Sequence, residues 1–116
     1  FAQAYSFQGD LSQWDTSNVR KLNSAFQHAT SFNSDIGNWD VSSVENAGWA
    51  YRGATSFNQD LNGWKLSAES LTKMFAGATQ FNQSLCSWES AGRGMFSGTS
   101  CPVESNPDGF SYCHRC

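Results

Sequence analysis

The run Ala54-Thr55-Ser56-Phe57-Asn58-Gln59-Asp60-Leu61, closed by Trp64, occurs three times in this chain. Its copies are Ala29-Thr30-Ser31-Phe32-Asn33-Ser34-Asp35-Ile36 with Trp39, and Ala78-Thr79-Gln80-Phe81-Asn82-Gln83-Ser84-Leu85 with Trp88. A worn copy opens the chain with Ala4, Phe7, Asp10, Leu11 and Trp14. Self-similarity at a fixed period of about 25 residues is the signature of a repeat array, in which each unit buries its apolar face only against its neighbours.

Each repeat divides into two halves. In the second half, apolar residues fall at i, i+3, i+7 and i+10: Val19, Leu22, Phe26, Ala29, then Val44, Ala47, Tyr51, Ala54, then Ala68, Leu71, Phe75, Ala78. That spacing predicts one face of a short helix. Ser17, Ser42 and Ser67 precede the stripes as N-caps, with Ser42-Ser43-Val44-Glu45 reading as a capping box. Gly53, Gly77 and Gly98 follow them, where helices often stop on a left-handed residue. His28 holds that place in the first repeat, at a cost in strain. The first half, Phe-x-x-x-Leu/Ile-x-x-Trp, reads as a short extended segment with a turn, because Asn, Asp, Gly37 and Gly63 interrupt it. Neighbouring segments would then pair as a narrow parallel sheet.

The predicted fold is therefore α/β. It is a leucine-rich-repeat-like solenoid of about four 24–25-residue turns, each a short parallel strand plus a short helix, with a disulfide-bonded C-terminal cap. An all-helical solenoid is the second reading. The expected core is three residues per turn: Phe7, Leu11, Trp14; Phe32, Ile36, Trp39; Phe57, Leu61, Trp64; Phe81, Leu85, Trp88. A second aromatic column runs Phe1, Phe26, Tyr51, Phe75, Phe96, so the first residues read as the tail of an earlier repeat, with an uncapped N-terminal end expected. The fourth repeat is shortened around Gly92–Phe96. Residues 1–100 read as the repeat array and 101–116 as a Cys-rich cap.

All four cysteines, Cys86, Cys101, Cys113 and Cys116, lie at that end. An even count clustered there predicts disulfides and an oxidising compartment. Three pairings are open; Cys86–Cys101 with Cys113–Cys116 is the preferred one. Zinc is the competing use of Cys113-His114-Arg115-Cys116, but no second Cys-x-x-Cys pair accompanies it, and no metal is expected.

Charged residues make up only 15% of the chain, against roughly a quarter in ordinary globular proteins. Amides and hydroxyls fill the surface instead, which fits an extracellular or cell-surface setting. A net charge of −3, with the seven basic residues forming no stripe, argues against a nucleic-acid partner. No apolar run is long enough to span a membrane. His28 and His114 stand apart, and no Ser-His-Asp, paired-carboxylate or phosphate-loop arrangement is visible, so neither catalysis nor a cofactor is expected.

Three polar columns have a structural and a functional reading. Asp10, Asp35 and Asp60 would hold their own turns, or line up as calcium ligands; Ser84 in the fourth copy favours the turn. Asn33, Asn58 and Asn82 would form an internal ladder, whereas Asn82-Gln83-Ser84 is also a glycosylation acceptor. Thr30, Thr55, Thr79 and Thr99 read as turn hydroxyls rather than an ice- or sugar-binding row. The Trp column reads as core. Tyr5, Trp49 and Tyr112 lie outside the columns and are the better ligand candidates.

The columns Ala54–Leu61 with Trp64, Trp39-Asp40-Val41-Ser42-Ser43-Val44 and Met74-Phe75-Ala76-Gly77-Ala78 resemble BspA-type leucine-rich repeats, a family of bacterial surface proteins with expanded sets in protists and algae. The resemblance covers about residues 1–100. It implies an extracellular, non-enzymatic role. Two such roles are expected: a structural or assembly module of a surface or filament protein, stacking on other repeats or subunits through its N-terminal end, or an adhesion module holding a glycan or protein.

Overall fold

A computed structural model describes residues 1–66, 70–88 and 94–102, which occupy 37 × 27 × 19 Å. The expected α/β solenoid of strand-plus-helix turns does not form. Among the described residues there is neither a helix nor an extended strand. Sheet pairing is reduced to two isolated parallel bridges, Lys21 with Asn46 and Asn46 with Ser70. The all-helical alternative fails equally.

What forms instead is a pile of β-turns. In the second half of each repeat, backbone N–H groups alternate between two destinations. Leu22, Ser24, Phe26 and His28 donate to the carbonyls of Asn46, Gly48, Ala50 and Arg52 in the next repeat, at 2.7–3.0 Å. Between them, Ala25, Gln27 and Ala29 donate back three residues, to Leu22, Ser24 and Phe26. The next repeat copies this pattern. Ala47, Trp49, Tyr51 and Gly53 reach Ser70, Thr72, Met74 and Ala76, while Ala50, Arg52 and Ala54 close turns of their own. A helix sends its N–H groups to the residue four earlier. Here half of them leave for the neighbour.

Left-handed residues make the alternation possible. Ser24 and His28 lie at φ 60° and 59°, Trp49 and Gly53 at 57° and 70°, Lys73 and Gly77 at 50° and 75°, Gly94 and Gly98 at 62° and 72°. Two such residues per repeat, four apart, turn the chain out of a helical path each time one is begun. The caps and stripes of the predicted helices are thus those of a turn series with similar side-chain spacing.

The first halves lack strand ladders for a different reason: side chains take the backbone's partners. The N–H of Leu11 donates to Ser34 Oγ at 3.0 Å, that of Asn58 to Asn33 Oδ1 at 2.9 Å, and that of Ser87 to Asn62 Oδ1 at 3.0 Å. The repeats remain in register throughout, but through polar side chains.

The core is built from stacked aromatic rings. Phe1, Phe26, Tyr51, Phe75 and Phe96 follow one another with centroids 5.4–5.6 Å apart and planes within 8°. Phe7, Phe32, Phe57 and Phe81 form a second column at 5.6–6.1 Å. Cross-pairs Phe26–Phe32, Tyr51–Phe57 and Phe75–Phe81, at 4.1–4.4 Å, tie the columns together. These are favourable offset distances for aromatic pairs. Ile36, Leu61, Ala29, Ala54 and Ala78 fill the remainder and are fully buried.

Cys86 and Cys101 are both disulfide-bonded and neither is a free thiol; the preferred Cys86–Cys101 pairing is not observed among the described residues. Cys113, Cys116, Tyr112, His114 and most of the cap at 101–116 lie outside the described residues, as does Ala68 of the third stripe. Cys101 itself is buried, its sulfur 3.6 Å from the carbonyl of Phe81.

Candidate functional site

The tryptophan column runs beside the phenylalanines, and its hydrogen bonds define how one repeat receives the next. Trp39, Trp64 and Trp88 stack at 6.2–6.5 Å. Each indole N–H donates to a buried carbonyl of the preceding repeat: Trp39 to Leu11, Trp64 to Ile36, Trp88 to Leu61, at 2.8–2.9 Å. Their side chains are 7%, 2% and 9% exposed. Trp14, expected in the same core, is 53% exposed. Its ring touches Phe1, which is itself 44% exposed. Phe7 is half-buried against the core, and Leu85 likewise. The N-terminal end therefore shows, in Phe1, Tyr5 and Trp14, a surface that every inner repeat covers.

That surface has a polarity. Backbone N–H groups of the turn series point towards the following repeat, as from Leu22 to Asn46. Indole and threonine donors point the other way: Thr30 Oγ1 donates to the Tyr5 carbonyl, Thr55 to that of Thr30, and Thr79 to that of Thr55, at 3.1–3.4 Å. Ser100, not the expected Thr99, completes this column on the carbonyl of Thr79, while Thr99 bonds to Phe96. The two ends of a repeat are thus different, and a surface of this kind matches the opposite end of a similar turn rather than itself.

The aspartate column lies on the outside. Asp10, Asp35 and Asp60 each accept the N–H two residues on, from Ser12, Gly37 and Asn62, at 2.9–3.2 Å. These are Asx turns. Asp15 and Asp40, not singled out by the sequence, do the same with Ser17 and Ser42, each adding a hydroxyl bond at 2.6 Å. The bonds from Ser12, Ser17 and Ser42 hold the carboxyls of Asp10, Asp15 and Asp40 below their ordinary value; for Asp40, Asp15's charge opposes the effect. Among the described residues no cluster of His, Cys, Asp and Glu is arranged to hold a metal.

The asparagines do form a ladder, but an exterior one. Asn33 Oδ1 accepts from the N–H of Asn58, and Asn58 Oδ1 from that of Asn82, both at 2.9 Å. Gln59 and Gln83 reinforce it by donating to the same oxygens at 3.0 Å. Asn33 and Asn82 are exposed, so the ladder lies where a glycan acceptor would also lie.

A second surface feature went unread in the sequence. A groove of about 420 Å³ runs across the turn series, lined by His28, Arg52, Gly53, Lys73, Ala76, Gly77 and Ser97. The signal is faint because its basic residues come from non-equivalent positions of three repeats.

Among the described residues no helix is long and apolar enough to cross a membrane. No curated protein and no solved structure matches the chain. A family match does exist, and it spans the whole of the repeat array up to the point where the turn series ends. Matched over residues 1–100, the chain belongs to the family described as Mycoplasma protein of unknown function, DUF285.

Proposed function

We propose that this chain is a non-enzymatic structural module of the BspA-like kind, which works by stacking, and that its N-terminal face receives one further turn of the same repeat. The observation that carries this is the change along the tryptophan column, from 53% exposure at Trp14 to 7% at Trp39 and 2% at Trp64. The same residue type, in register, is buried wherever a preceding turn supplies its carbonyl. Continuity with the inner interfaces supports this occupant: a turn whose second half offers backbone N–H groups and whose first half offers a carbonyl to the Trp14 indole. Stacking of opposite ends propagates instead of closing, which suits an assembly or filament role. The weakly charged, amide-rich surface supports an extracellular or cell-surface setting.

Light scattering and negative-stain microscopy on the 1–116 chain test this. Concentration-dependent association, abolished in a Phe1→Ser/Trp14→Ser variant that keeps its fold, is the expected result. A chain that stays monomeric at high concentration sinks the reading.

One observation favours adhesion as a second role. Trp49 lies outside the aromatic columns, is 39% exposed, and makes no ring contact among the described residues.

A further inference from the structure

The groove across the turn series combines three features that ordinary surface does not. The residues that line it include His28, Arg52, Lys73 and Ser97, and no Asp or Glu. In a chain of net charge −3 this is a local reversal of sign. Elsewhere among the described residues Arg20 is neutralised by Glu45 at 2.9 Å, whereas neither Arg52 nor Lys73 has an ion-pair partner there.

The groove is also built, not incidental. Its floor is made by left-handed Gly53 and Gly77. A Cβ on Gly53 would collide with the His28 ring, so the imidazole lies in space that only glycine leaves open. Lys73 is itself left-handed, at φ 50°, on the register position that Trp49 holds one repeat earlier at φ 57°. Arg52 follows Trp49 by three residues, and its N–H donates to the Trp49 carbonyl at 3.1 Å. The turn that supplies Arg52 to the groove therefore also carries the exposed Trp49, and the next supplies Lys73.

We propose that this groove binds an anionic saccharide, with Arg52 and Lys73 contacting its sulfate or carboxylate groups and Trp49 offering an aromatic face to the sugar ring. A guanidinium and an ammonium give charge-assisted hydrogen bonds to oxyanions, a volume of this size holds a short oligosaccharide rather than a folded partner, and aromatic rings supply rigid apolar contact beside the charges. The inference rests on the adhesion role and is independent of stacking.

The experiment is isothermal titration of the 1–116 chain with a heparin-derived tetrasaccharide, its fully desulfated counterpart, and inorganic sulfate. The sulfated saccharide is expected to bind, with affinity falling as salt rises. Arg52→Gln and Lys73→Gln are each expected to weaken binding about fivefold, roughly what one exposed charge-assisted contact contributes. Trp49→Ala is expected to weaken it as well, while Lys65→Gln, outside the groove, leaves it unchanged. Equal binding of the desulfated saccharide overturns the anionic assignment and leaves adhesion standing. Binding of sulfate as tight as that of the tetrasaccharide, or an unaffected Trp49→Ala, overturns the saccharide assignment. No binding of any probe, or an unaffected Arg52→Gln/Lys73→Gln double variant, overturns the site itself.

Discussion

The indole N–H of Trp64 donates to the main-chain carbonyl of Ile36, 28 residues earlier, across 2.9 Å of buried interior. Ile36 sits in the core at 0% exposure, so its carbonyl has no access to water. The carbonyl also accepts the N–H of Trp39 at 3.1 Å, so the indole fills the second acceptor position of a group that water cannot reach. The tryptophan column therefore has two duties. It fills space between turns, and it gives one buried carbonyl per interface a second hydrogen bond, beside the N–H that closes that carbonyl's own turn.

Removing the two duties separately should show both. Trp64→Phe keeps a ring but removes the inter-repeat hydrogen bond, leaving the Ile36 carbonyl only the N–H of Trp39, at an expected cost of about 0.5–1.5 kcal/mol. Trp64→Ala also opens a cavity, raising the cost to about 3–5 kcal/mol. Trp14→Phe, on the exposed face, should change stability by no more than about 0.5 kcal/mol. Urea denaturation of the three variants measures this, and equal costs at positions 14 and 64 would refute the account.

Position-by-position periodicity made the register legible before any coordinates: Phe32 over Phe57 over Phe81, and Trp39 over Trp64, fall where the repeat puts them. The local conformation was not legible, and the reason is specific. Val19, Leu22, Phe26 and Ala29 have the spacing of a helical face, but turns that close every three residues and reverse hand every four give nearly the same spacing. The deciding residues are Ser24, Trp49 and Lys73, which are left-handed without being glycine. Nothing in their side chains announces that. At the partner position Gly53, Gly77 and Gly98 did announce it, and His28 was rightly read as strained. The strands failed for a second reason, since Asn33, Ser34 and Asn62 compete for backbone N–H groups as only polar side chains in register can.

The packing of His28 on Gly53 predicts a non-additive pair. Gly53→Ala must hold φ +70° and also displace the imidazole, whereas Gly77→Ala meets nothing nearer than 3.6 Å. Gly77→Ala should cost about 1–2 kcal/mol for the left-handed conformation alone, and Gly53→Ala more. Replacing His28 by Gly should recover part of the Gly53→Ala loss, giving a coupling of at least about 0.5 kcal/mol in a double-mutant cycle. Additivity within error would mean the ring moves aside freely.

Tyr51 interrupts a column of phenylalanines, and its hydroxyl is buried with no hydrogen-bond partner among the described residues. Burial pushes the phenol well above its ordinary value of 10.0. Tyr51→Phe removes an unsatisfied polar group while keeping the stacked ring, and should raise stability by about 1 kcal/mol. The sign of the pH effect follows. A raised pKa in the folded state means that this contribution is intact below pH 10 and is lost as pH rises beyond it. Wild type should therefore weaken more steeply than Tyr51→Phe in alkali, as followed by the urea midpoint. A less stable Tyr51→Phe would mean that the hydroxyl has a role the geometry does not reveal.

At the acid end the outer turns set the behaviour. Asp10, Asp15 and Asp40 are held below their ordinary 3.8 by hydrogen bonds from Ser12, Ser17 and Ser42. Lowered pKa values in the folded state mean that the unfolded chain takes up these protons first, so the contribution is complete above pH 3.8 and is lost as pH falls through the lowered values. Protonation removes an acceptor charge from turns that carry the chain between stacked repeats, and Asp15 with Asp40 does this in adjacent ones. An Asp15→Asn/Asp40→Asn variant should start from lower stability at neutral pH and lose less on acidification. Urea midpoints between pH 7 and pH 2 decide it: parallel curves for wild type and variant would place the acid sensitivity in other carboxylates. A wider gap at neutral pH that closes towards pH 2 assigns it to the Asx turns, and so to the polar side chains that hold this repeat array in register.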